Sequence, residues 1–416
     1  MLKVTRLDNG LKIITEYIPD VRSATISLLV SVGSAVETPE IAGISHFVEH
    51  LIFKGTETRT AQEIAQSVED YGGALNAFTE KELTYYYARV LTEQVESTVD
   101  IFCDMILNSI MDPKEIELER QVILEEIKMY EDTPDELVYD IMFRSVWGDC
   151  SIAQSVTGSY DTVNKLSRDD ILKFIENFYT PDNIIISLAG NFDVDRVIDL
   201  IKRSFDSCKK SKLITKVEIP SLSQAKTAQS KEIEQAHLCL STMGMPLTSD
   251  DRYALAAIDI ALAGGISSRL FQEVREKRGL AYSINSYKAL YKPAGIFGVY
   301  AATSVKNIQE ILDIVLDEFS SIRDKGLTDD ELARAKKQLT GSLLLGLEST
   351  YYRAYRNIHS ELYFDKIYSI DEICALIQAI SMDDVNKVAD YIFDPSYYGL
   401  TIVGPKGISA DYSLNS

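Results

Sequence analysis

The sequence predicts an α+β protein of two homologous domains, each a mainly antiparallel sheet with helices packed on it, together forming a clam-like pair. Three observations support this fold class. The chain has 416 residues, 46% of them hydrophobic, which is enough for more than one core. Strand and helix patterns are mixed without a regular strand–helix alternation, which disfavours a doubly wound parallel sheet. One segment of the first half also recurs in the second half.

The repeat relates residues 166–191 to residues 380–405 at an offset of 214. Each copy begins with a Ser cap and two acidic residues, continues as an amphipathic helix that ends before a Pro, and finishes as an apolar strand followed by Gly. The identical pairs are Ser167/Ser381, Asp169/Asp383, Asp170/Asp384, Lys173/Lys387, Pro181/Pro395 and Gly190/Gly404. Two copies of one pattern predict two domains of similar topology.

A polar segment with little periodicity, residues 207–230, lies between the two copies and is predicted to be an interdomain linker. The domains would then span residues 1–210 and 225–416. Periodicity and apolar runs predict the individual elements. Strands are expected at 25–32, 85–90, 184–189 and 398–403, and helices at 43–54, 62–71, 94–109, 114–130 and 168–178.

Charge and composition disfavour several classes of function. The formal net charge is −21, so no excess of Lys or Arg exists to release counterions from nucleic acid. No run of 18 apolar residues predicts a membrane span, and the first residues lack a signal or transit pattern. Five scattered cysteines predict neither a disulfide framework nor a thiolate metal site. We therefore expect a cytoplasmic protein that binds neither nucleic acid nor membrane.

The strongest signal for chemistry is His-Phe-Val-Glu-His at residues 46–50, which holds two of the four histidines. On a helix, His46, Glu49 and His50 lie within about 100° of one another. Two imidazoles at i and i+4 can reach one zinc ion, and the glutamate between them is left to activate water. This H-x-x-E-H arrangement inverts the H-E-x-x-H zinc motif. The bland alternative is a polar helix face with ordinary solvated histidines.

A catalytic zinc site needs a third protein ligand, and the predicted helix over 113–127 offers glutamates for it. Glu119 and Glu126 are seven residues apart and therefore share one helical face. One could bind the metal while the other orients water or a histidine ring, and the spacing leaves both assignments open. Glu125 points about 100° away and is expected to face solvent.

The second half lacks this set of residues. Aligning the Gly-Ile-Ser segments at 43–45 and 265–267 sets Ser268, Phe271 and Gln272 at the three motif positions. At an offset of 216, Ala335 and Ser342 take the two glutamate positions. Because all the candidate groups are absent together in one copy, they are expected to act together in the other, as one metal site per chain.

These motifs resemble the pitrilysin-type zinc peptidases, most closely the bacterial branch similar to mitochondrial processing peptidases. The resemblance runs through nearly the whole chain and is strongest in GISHFVEHLIFKGT (43–56), GGALNAFTEKELTYYY (72–87), ERQVILEEIKMYEDTPDE (119–136) and SSRLFQEVREKRGLAYSI (267–284). It implies one Zn²⁺ held by His46, His50 and Glu126. It also implies Glu49 as the general base and Glu119 as a supporting active-site residue.

The resemblance further implies a contribution from the second domain. Arg275 and Tyr282 match a pair that reaches the catalytic site. A tyrosine hydroxyl can hydrogen-bond a developing oxyanion, and an arginine can position substrate.

Substrate contacts are implied at two further places. Asn76, Ala77 and Phe78 match positions where a peptide would add as a strand to an exposed sheet edge. Glu136 and Asp140 match acidic positions that would bind an arginine upstream of the cut, and their spacing suits a grip on one guanidinium.

The expected function is a zinc-dependent endopeptidase that cleaves extended peptides or unfolded segments, with a preference for basic residues near the cut if the acidic pair binds substrate. A non-catalytic peptide-binding or assembly subunit is the main alternative, and the complete motif argues against it. A small-molecule metallohydrolase is disfavoured by the large second domain. A homodimer, or a heterodimer with a related subunit, is left open. His237 and His359 are expected to be structural or surface residues.

Overall fold

The computed structural model describes residues 2–210, 217 and 220–414. The strands of this part are β1 (Leu2–Arg6), β2 (Lys12–Tyr17), β3 (Ser23–Val30), β4 (Ala74–Thr79), β5 (Thr84–Leu91), β6 (Ile184–Gly190), β7 (Lys226–Ser230), β8 (Ala236–Met243), β9 (Ala281–Leu290), β10 (Gly295–Thr303) and β11 (Gly399–Gly404). The helices are α1 (Ile44–Ile52), α2 (Ala61–Glu69), α3 (Val95–Asn108), α4 (Pro113–Glu131), α5 (Pro134–Trp147), α6 (Tyr160–Lys165), α7 (Arg168–Phe178), α8 (Val194–Phe205), α9 (Arg252–Ala263), α10 (Ile308–Lys325), α11 (Asp329–Gly346), α12 (Thr350–Phe364), α13 (Ile370–Ala379) and α14 (Met382–Ile392).

The chain folds into two compact units, and the predicted two-domain α+β class is confirmed. Unit 1 comprises Met1–Lys128, Gln154–Val217 and Leu345–Ile367, and unit 2 comprises Met129–Ala153, Glu218–Leu344 and Tyr368–Ser416. Each unit is built on one sheet, and each sheet carries helices.

The sheet of unit 1 has the strand order β1-β2-β6-β3-β5-β4. Its neighbours are antiparallel except for β2 and β6, which run parallel. One face carries α1, α2, α3 and α8 and closes over an apolar core. Within that core Phe47, Val48 and Leu51 of α1 are at most 1% exposed. Burial of this apolar side of α1 turns the polar side of the same helix away from the core.

The sheet of unit 2 has the order β7-β11-β8-β10-β9, with β7 and β11 parallel and the other neighbours antiparallel. It repeats the order β2-β6-β3-β5-β4 of unit 1. Strands β6 and β11, which end the two sequence copies, hold corresponding places. Helices α7 and α14, which precede them, begin with the predicted Ser caps, Ser167 and Ser381. The repeat seen in the sequence is thus a repeat of topology.

The second face of each sheet is covered by a helix from the other half of the chain. In unit 1, α12 packs on β6, β3 and β2, with Ile358 buried among Ile14, Leu29 and Ile185. In unit 2, α5 packs on β11, β8 and β7. These two helices are the exchanged helices.

The spatial units therefore differ from the predicted division at residues 210 and 225. Residues 129–153 belong to unit 2 and residues 345–367 to unit 1, because each sheet has two apolar faces to cover. The predicted linker over 207–230 is also partly wrong, since Lys226–Ser230 forms strand β7 beside β11. Residues 211–216, 218 and 219 of that linker lie outside the described residues. In the part of the chain that is described, no helix is both long and apolar enough to cross a membrane.

Candidate metal centre

The residue directly before helix α1 can carry no side chain. Gly43, its N-cap, has φ 94°, and a Cβ there would lie 2.6 Å from the Thr157 carbonyl oxygen. A capping group comes from an upstream loop instead. Glu37 accepts the Gly43 N–H at 2.7 Å and the Ser45 N–H at 2.8 Å, one on each carboxylate oxygen. Burial raises the pKa of Glu37 to about 7, although these hydrogen bonds and Lys81 act in the opposite direction.

The three polar motif residues share one side of α1, as their spacing predicts. His46 and Glu49 are each 8% exposed, and the rings of His46 and His50 meet edge to face with centroids 4.6 Å apart. Glu126 of α4 faces both rings. Its Oε2 lies 3.6 Å from His46 Nε2 and 3.6 Å from His50 Nε2.

This cluster fits a zinc ion. The three ligand atoms all lie within 4.8 Å of one another, and no other group of three His, Cys, Asp or Glu side chains among the described residues is so arranged. Around a tetrahedral zinc ion, ligands at about 2.1 Å would be about 3.4 Å apart. Two imidazoles and one carboxylate are also the donor set that zinc takes in many hydrolytic sites.

The two histidines have different electrostatic surroundings. Burial, with a smaller effect from His50, lowers the pKa of His46 to about 3, so this imidazole is neutral and has a lone pair to offer. Burial alone would lower the pKa of His50 too. The hydrogen bond with Glu119 and the charges of Glu49 and Glu126 outweigh it, so the His50 pKa is raised.

Glu119 lies behind the cluster, at the outer nitrogen of His50. Its Oε2 is 3.0 Å from His50 Nδ1, and its Oε1 is 2.6 Å from Lys54 Nζ. These bonds lower the pKa of Glu119 despite its burial. A carboxylate on Nδ1 fixes the tautomer that leaves Nε2 free for a metal. The two glutamates that the spacing left open thus occupy different places, Glu126 at the Nε2 atoms and Glu119 at Nδ1. Glu125 is exposed, as predicted.

Glu49 is held by a residue of the neighbouring strand. Thr79, the last residue of β4, donates its hydroxyl to Glu49 Oε2 at 2.5 Å. Burial raises the pKa of Glu49, while Thr79 and His50 act to lower it. A carboxylate with a raised pKa is better suited to take up a proton than an exposed one.

Strand β4 also forms one edge of the unit 1 sheet. It pairs with β5 on one side, and no described strand pairs with its other side. Asn76 is exposed and its Oδ1 accepts the Ala77 N–H at 2.8 Å. Ala77 packs towards the core, and the ring of Phe78 stacks on Tyr85 at 5.1 Å between centroids. The strand edge predicted to bind substrate therefore ends at Thr79, which is hydrogen-bonded to Glu49.

The Arg/Tyr pair lies in unit 2, at the start of β9. Tyr282 is 77% exposed, and the Arg275 guanidinium lies 4.8 Å over its ring and donates to its carbonyl oxygen at 3.0 Å. Each residue therefore holds the other. Their expected contribution to catalysis stays a prediction.

Glu136 and Asp140 stand one turn apart on α5, also in unit 2. Partial burial, with the charges of Asp135 and Asp140, raises the pKa of Glu136. Their binding of a basic side chain also stays a prediction. The other two histidines have aromatic neighbours, Tyr300 for His237 and Tyr355 for His359.

Glu37, Thr79 and Lys54 were not identified from the sequence. Lys54 and Thr79 contact the motif only through the fold, so no local pattern marks them. A weak signal for Glu37 does exist, because the residue before α1 is a glycine and a helix start without its own capping side chain needs one from elsewhere.

Comparisons with known proteins place the chain among zinc proteases of one peptidase family. Residues 12–159 match the family model described as insulinase (peptidase family M16), and residues 165–339 match the model of the peptidase M16 inactive domain. The uncharacterized zinc protease YmxG of Bacillus subtilis (strain 168) is 39% identical, and the match covers 98% of this chain and 99% of that protein. An uncharacterized zinc protease of Streptomyces coelicolor is 40% identical over 96% of this chain and 89% of its own length.

Solved structures show the same fold. A protease from Helicobacter pylori superposes with a TM-score of 0.89 at 22% identity, covering 97% of this chain and 100% of that one. A structure from Pseudomonas fluorescens, described as a peptidase M16 inactive domain, gives 0.90 at 18% identity, covering 98% and 99%.

Proposed function

Because this chain belongs to the insulinase family of peptidases, family M16, we propose that it is a zinc-dependent endopeptidase that cleaves extended or unfolded polypeptide segments. The observation that carries the proposal is the cluster of His46, His50 and Glu126 with Glu49 beside it. Its relatives are named zinc proteases, which supports both the metal and the broad reaction.

His46, His50 and Glu126 would hold the zinc ion. When bound, zinc supplies Lewis acidity, which polarises a peptide carbonyl and makes water more acidic. Glu49 then serves as the general base, taking a proton from the attacking water and returning it to the leaving amine. Thr79 keeps the Glu49 carboxylate in one orientation, and Glu119 keeps His50 in one tautomer.

The edge strand β4 supports an extended peptide as the class of substrate. A peptide added there would bond through its main chain, which makes few demands on its sequence. Because Thr79 ends this strand and bonds Glu49, a peptide aligned along β4 would run past the base. Glu136 and Asp140 add a proposed preference for basic residues near the cut.

A non-catalytic peptide-binding or assembly subunit is the alternative to a peptidase, and a cleavage assay distinguishes the two. The family model of the inactive domain matches residues 165–339, and His46, His50 and Glu126 lie outside that range. The Pseudomonas fluorescens structure described as an inactive domain covers 98% of this chain at 18% identity, which shows a shared fold and does not decide between the two functions.

The decisive variant is Glu49→Gln, which removes the base and leaves the three zinc-binding groups. Zinc content should stay at one ion per chain, while kcat on an unfolded protein or a basic peptide library should fall about 10²- to 10⁴-fold. Glu125→Gln is the matched control, since Glu125 is an exposed glutamate on α4 that pairs only with Lys128 among the ion pairs described. Cleavage that survives in the Glu49 variant would reject the proposal. Peptide binding without cleavage by the wild type would favour the non-catalytic alternative.

A further inference from the structure

Helix α1 takes its N-terminal cap from an unusual source. Helices α2, α6, α7, α13 and α14 each begin with a Ser or Thr that caps its own helix. At α1 the N-cap is Gly43, whose left-handed backbone and contact with Thr157 exclude any such side chain. Glu37, six residues upstream, accepts the two hydrogen bonds instead. Pro39 restricts the backbone of the loop between Glu37 and Gly43.

The position of this cap matters for the metal ligands. Ser45, whose N–H it binds, directly precedes His46. The Glu37 carboxylate binds the N–H of the N-cap residue with one oxygen and that of the second helical residue with the other, so it restrains the start of α1 at two points. When Glu37 is ionised, its negative charge also interacts favourably with the positive end of the helix dipole. Glu37 therefore bonds the backbone directly before His46.

The loop that carries Glu37 is bonded to the turn between β4 and β5. In the segment Gly33–Glu37, called the bracing segment, Ser34 N–H donates to the Glu80 carbonyl at 3.1 Å and Ala35 N–H to the Lys81 carbonyl at 2.7 Å. A Cβ on Gly33 would lie 2.1 Å from the Glu80 carbonyl oxygen, so this approach requires glycine.

Two connections thus join the β4–β5 hairpin to α1. Thr79 bonds Glu49 directly, and the turn that follows it bonds the bracing segment, whose Glu37 caps the helix. The Lys81 side chain, 6% exposed, donates to the Gln154 carbonyl and brings a positive charge close to Glu37. The end of strand β4 and the start of helix α1 are therefore held in a fixed position relative to each other.

We propose that Glu37 is a positioning residue of the metal centre, which sets the first turn of α1 and thereby aligns His46 and Glu49 with the end of strand β4. Glu37 makes no contact with the metal ligands' side chains in the described bonds, so it acts through the backbone. This inference rests on the proposed function of the cluster as a zinc site. It assigns to a buried loop carboxylate the role that a ligand-orienting group has in other metal sites.

The test is Glu37→Gln against a matched control, Glu16→Gln. Glutamine has one acceptor oxygen, so one of the two N–H groups loses its bond. Glu16, on β2 of the same unit, also accepts on both oxygens, from Arg353 at 2.5 Å and Asn357 at 2.7 Å. Both variants lose one acceptor oxygen from a carboxyl group that binds two partners. Zinc affinity is measured by chelator competition, and the ligand field by the visible spectrum of the Co²⁺-loaded protein.

Glu37→Gln should weaken zinc binding about 10-fold or more and change the Co²⁺ spectrum, while Glu16→Gln stays within about two-fold with an unchanged spectrum. Equal losses in both variants, or wild-type affinity and spectrum for Glu37→Gln, would overturn the proposal.

If the glutamine variant does not fold, Glu37→Asp decides by the same limits, since its shorter carboxylate keeps the charge and reaches one N–H. Amide exchange of wild-type Ser45 gives an answer without any variant, because rapid exchange would contradict the cap. A wild type that binds zinc and cleaves nothing would reject the peptidase and leave this inference intact.

Discussion

Replacing Glu119 with Gln should weaken zinc binding by about 10- to 100-fold, because Glu119 orients the His50 ring towards Glu126. Glu119 is 5% exposed, and its carboxylate lies between two donors, His50 Nδ1 at 3.0 Å and Lys54 Nζ at 2.6 Å. Glutamine keeps the volume but offers one acceptor oxygen. Its amide nitrogen must then face either the imidazole N–H or the ammonium, and either arrangement opposes a donor to a donor.

Two independent estimates give the same size of effect. A change of 10- to 100-fold in affinity corresponds to about 1.4 to 2.8 kcal/mol. A hydrogen bond to a charged group contributes about 1.5 to 3 kcal/mol, which is the amount lost when one of the two Glu119 bonds goes. His50 loses the partner that orients its ring but keeps the Nε2 lone pair that would bind the metal. Zinc binding should therefore weaken and not disappear.

Competition with a chromophoric chelator measures the affinity, and Glu117→Gln is the control. The Glu117 side chain is 66% exposed on the same helix and pairs with Arg120 one turn away, so its loss should change zinc affinity by less than about two-fold. If Glu119→Gln binds zinc as tightly as the wild type does, then packing alone orients His50 and the reasoning about Glu119 is refuted.

Two further predictions concern pH. Thr79→Val removes the hydroxyl that stabilises ionised Glu49, so the Glu49 pKa should rise and the acid limb of the kcat/KM profile should move to higher pH; an unmoved limb would count against Glu49 as the base. In unit 2, Arg269 binds both oxygens of Glu331 at 2.7 Å. Although burial acts to raise it, the Glu331 pKa is lowered to about 2 by Arg269 and a bond from Thr328. Because the pKa of Glu331 is lower in the folded protein, its ionisation stabilises the fold at pH values above its ordinary pKa of about 4.5. This stabilisation, on the order of 3 kcal/mol, is lost as the pH falls from there towards about 2. Denaturation of metal-free Arg269→Met should show a flatter loss of unfolding free energy over this window than the wild type, and equal slopes would contradict the assignment.

The sequence was most informative where the decisive spacing is local. His46 and His50 are one turn apart, so helical geometry alone brings their rings together, and the apolar positions of α1 fix which side is buried. Glu119 and Glu126 share a face of α4 for the same reason. Which of them would serve as ligand could not follow from phase, because phase describes one helix and the choice depends on how α4 packs against α1.

Non-local contacts account for what was not predicted. Glu37 lies in a loop, and its partners are backbone N–H groups, which any sequence would offer. Strand β7 has the sequence Lys-Thr-Ala-Gln-Ser and lies at a sheet edge, so it carries no apolar alternation to mark it. The exchanged helices show a third limit, since an amphipathic pattern predicts that a helix packs on something without saying on which sheet.

The exchanged helices also affect the order in which the two units can fold during synthesis. As the chain leaves the ribosome, the strands of unit 1 are complete at Gly190, but the helix that covers their second face, Thr350–Phe364, is made much later. Until then the apolar face that includes Ile14, Leu29 and Ile185 has no cover from its own unit. We therefore expect unit 1 to finish folding only after α12 has been made, and a fragment cut at the middle of the chain to expose an uncovered apolar sheet face. Each half of the chain supplies a helix to the unit formed mainly by the other half, so we expect the two units to fold interdependently.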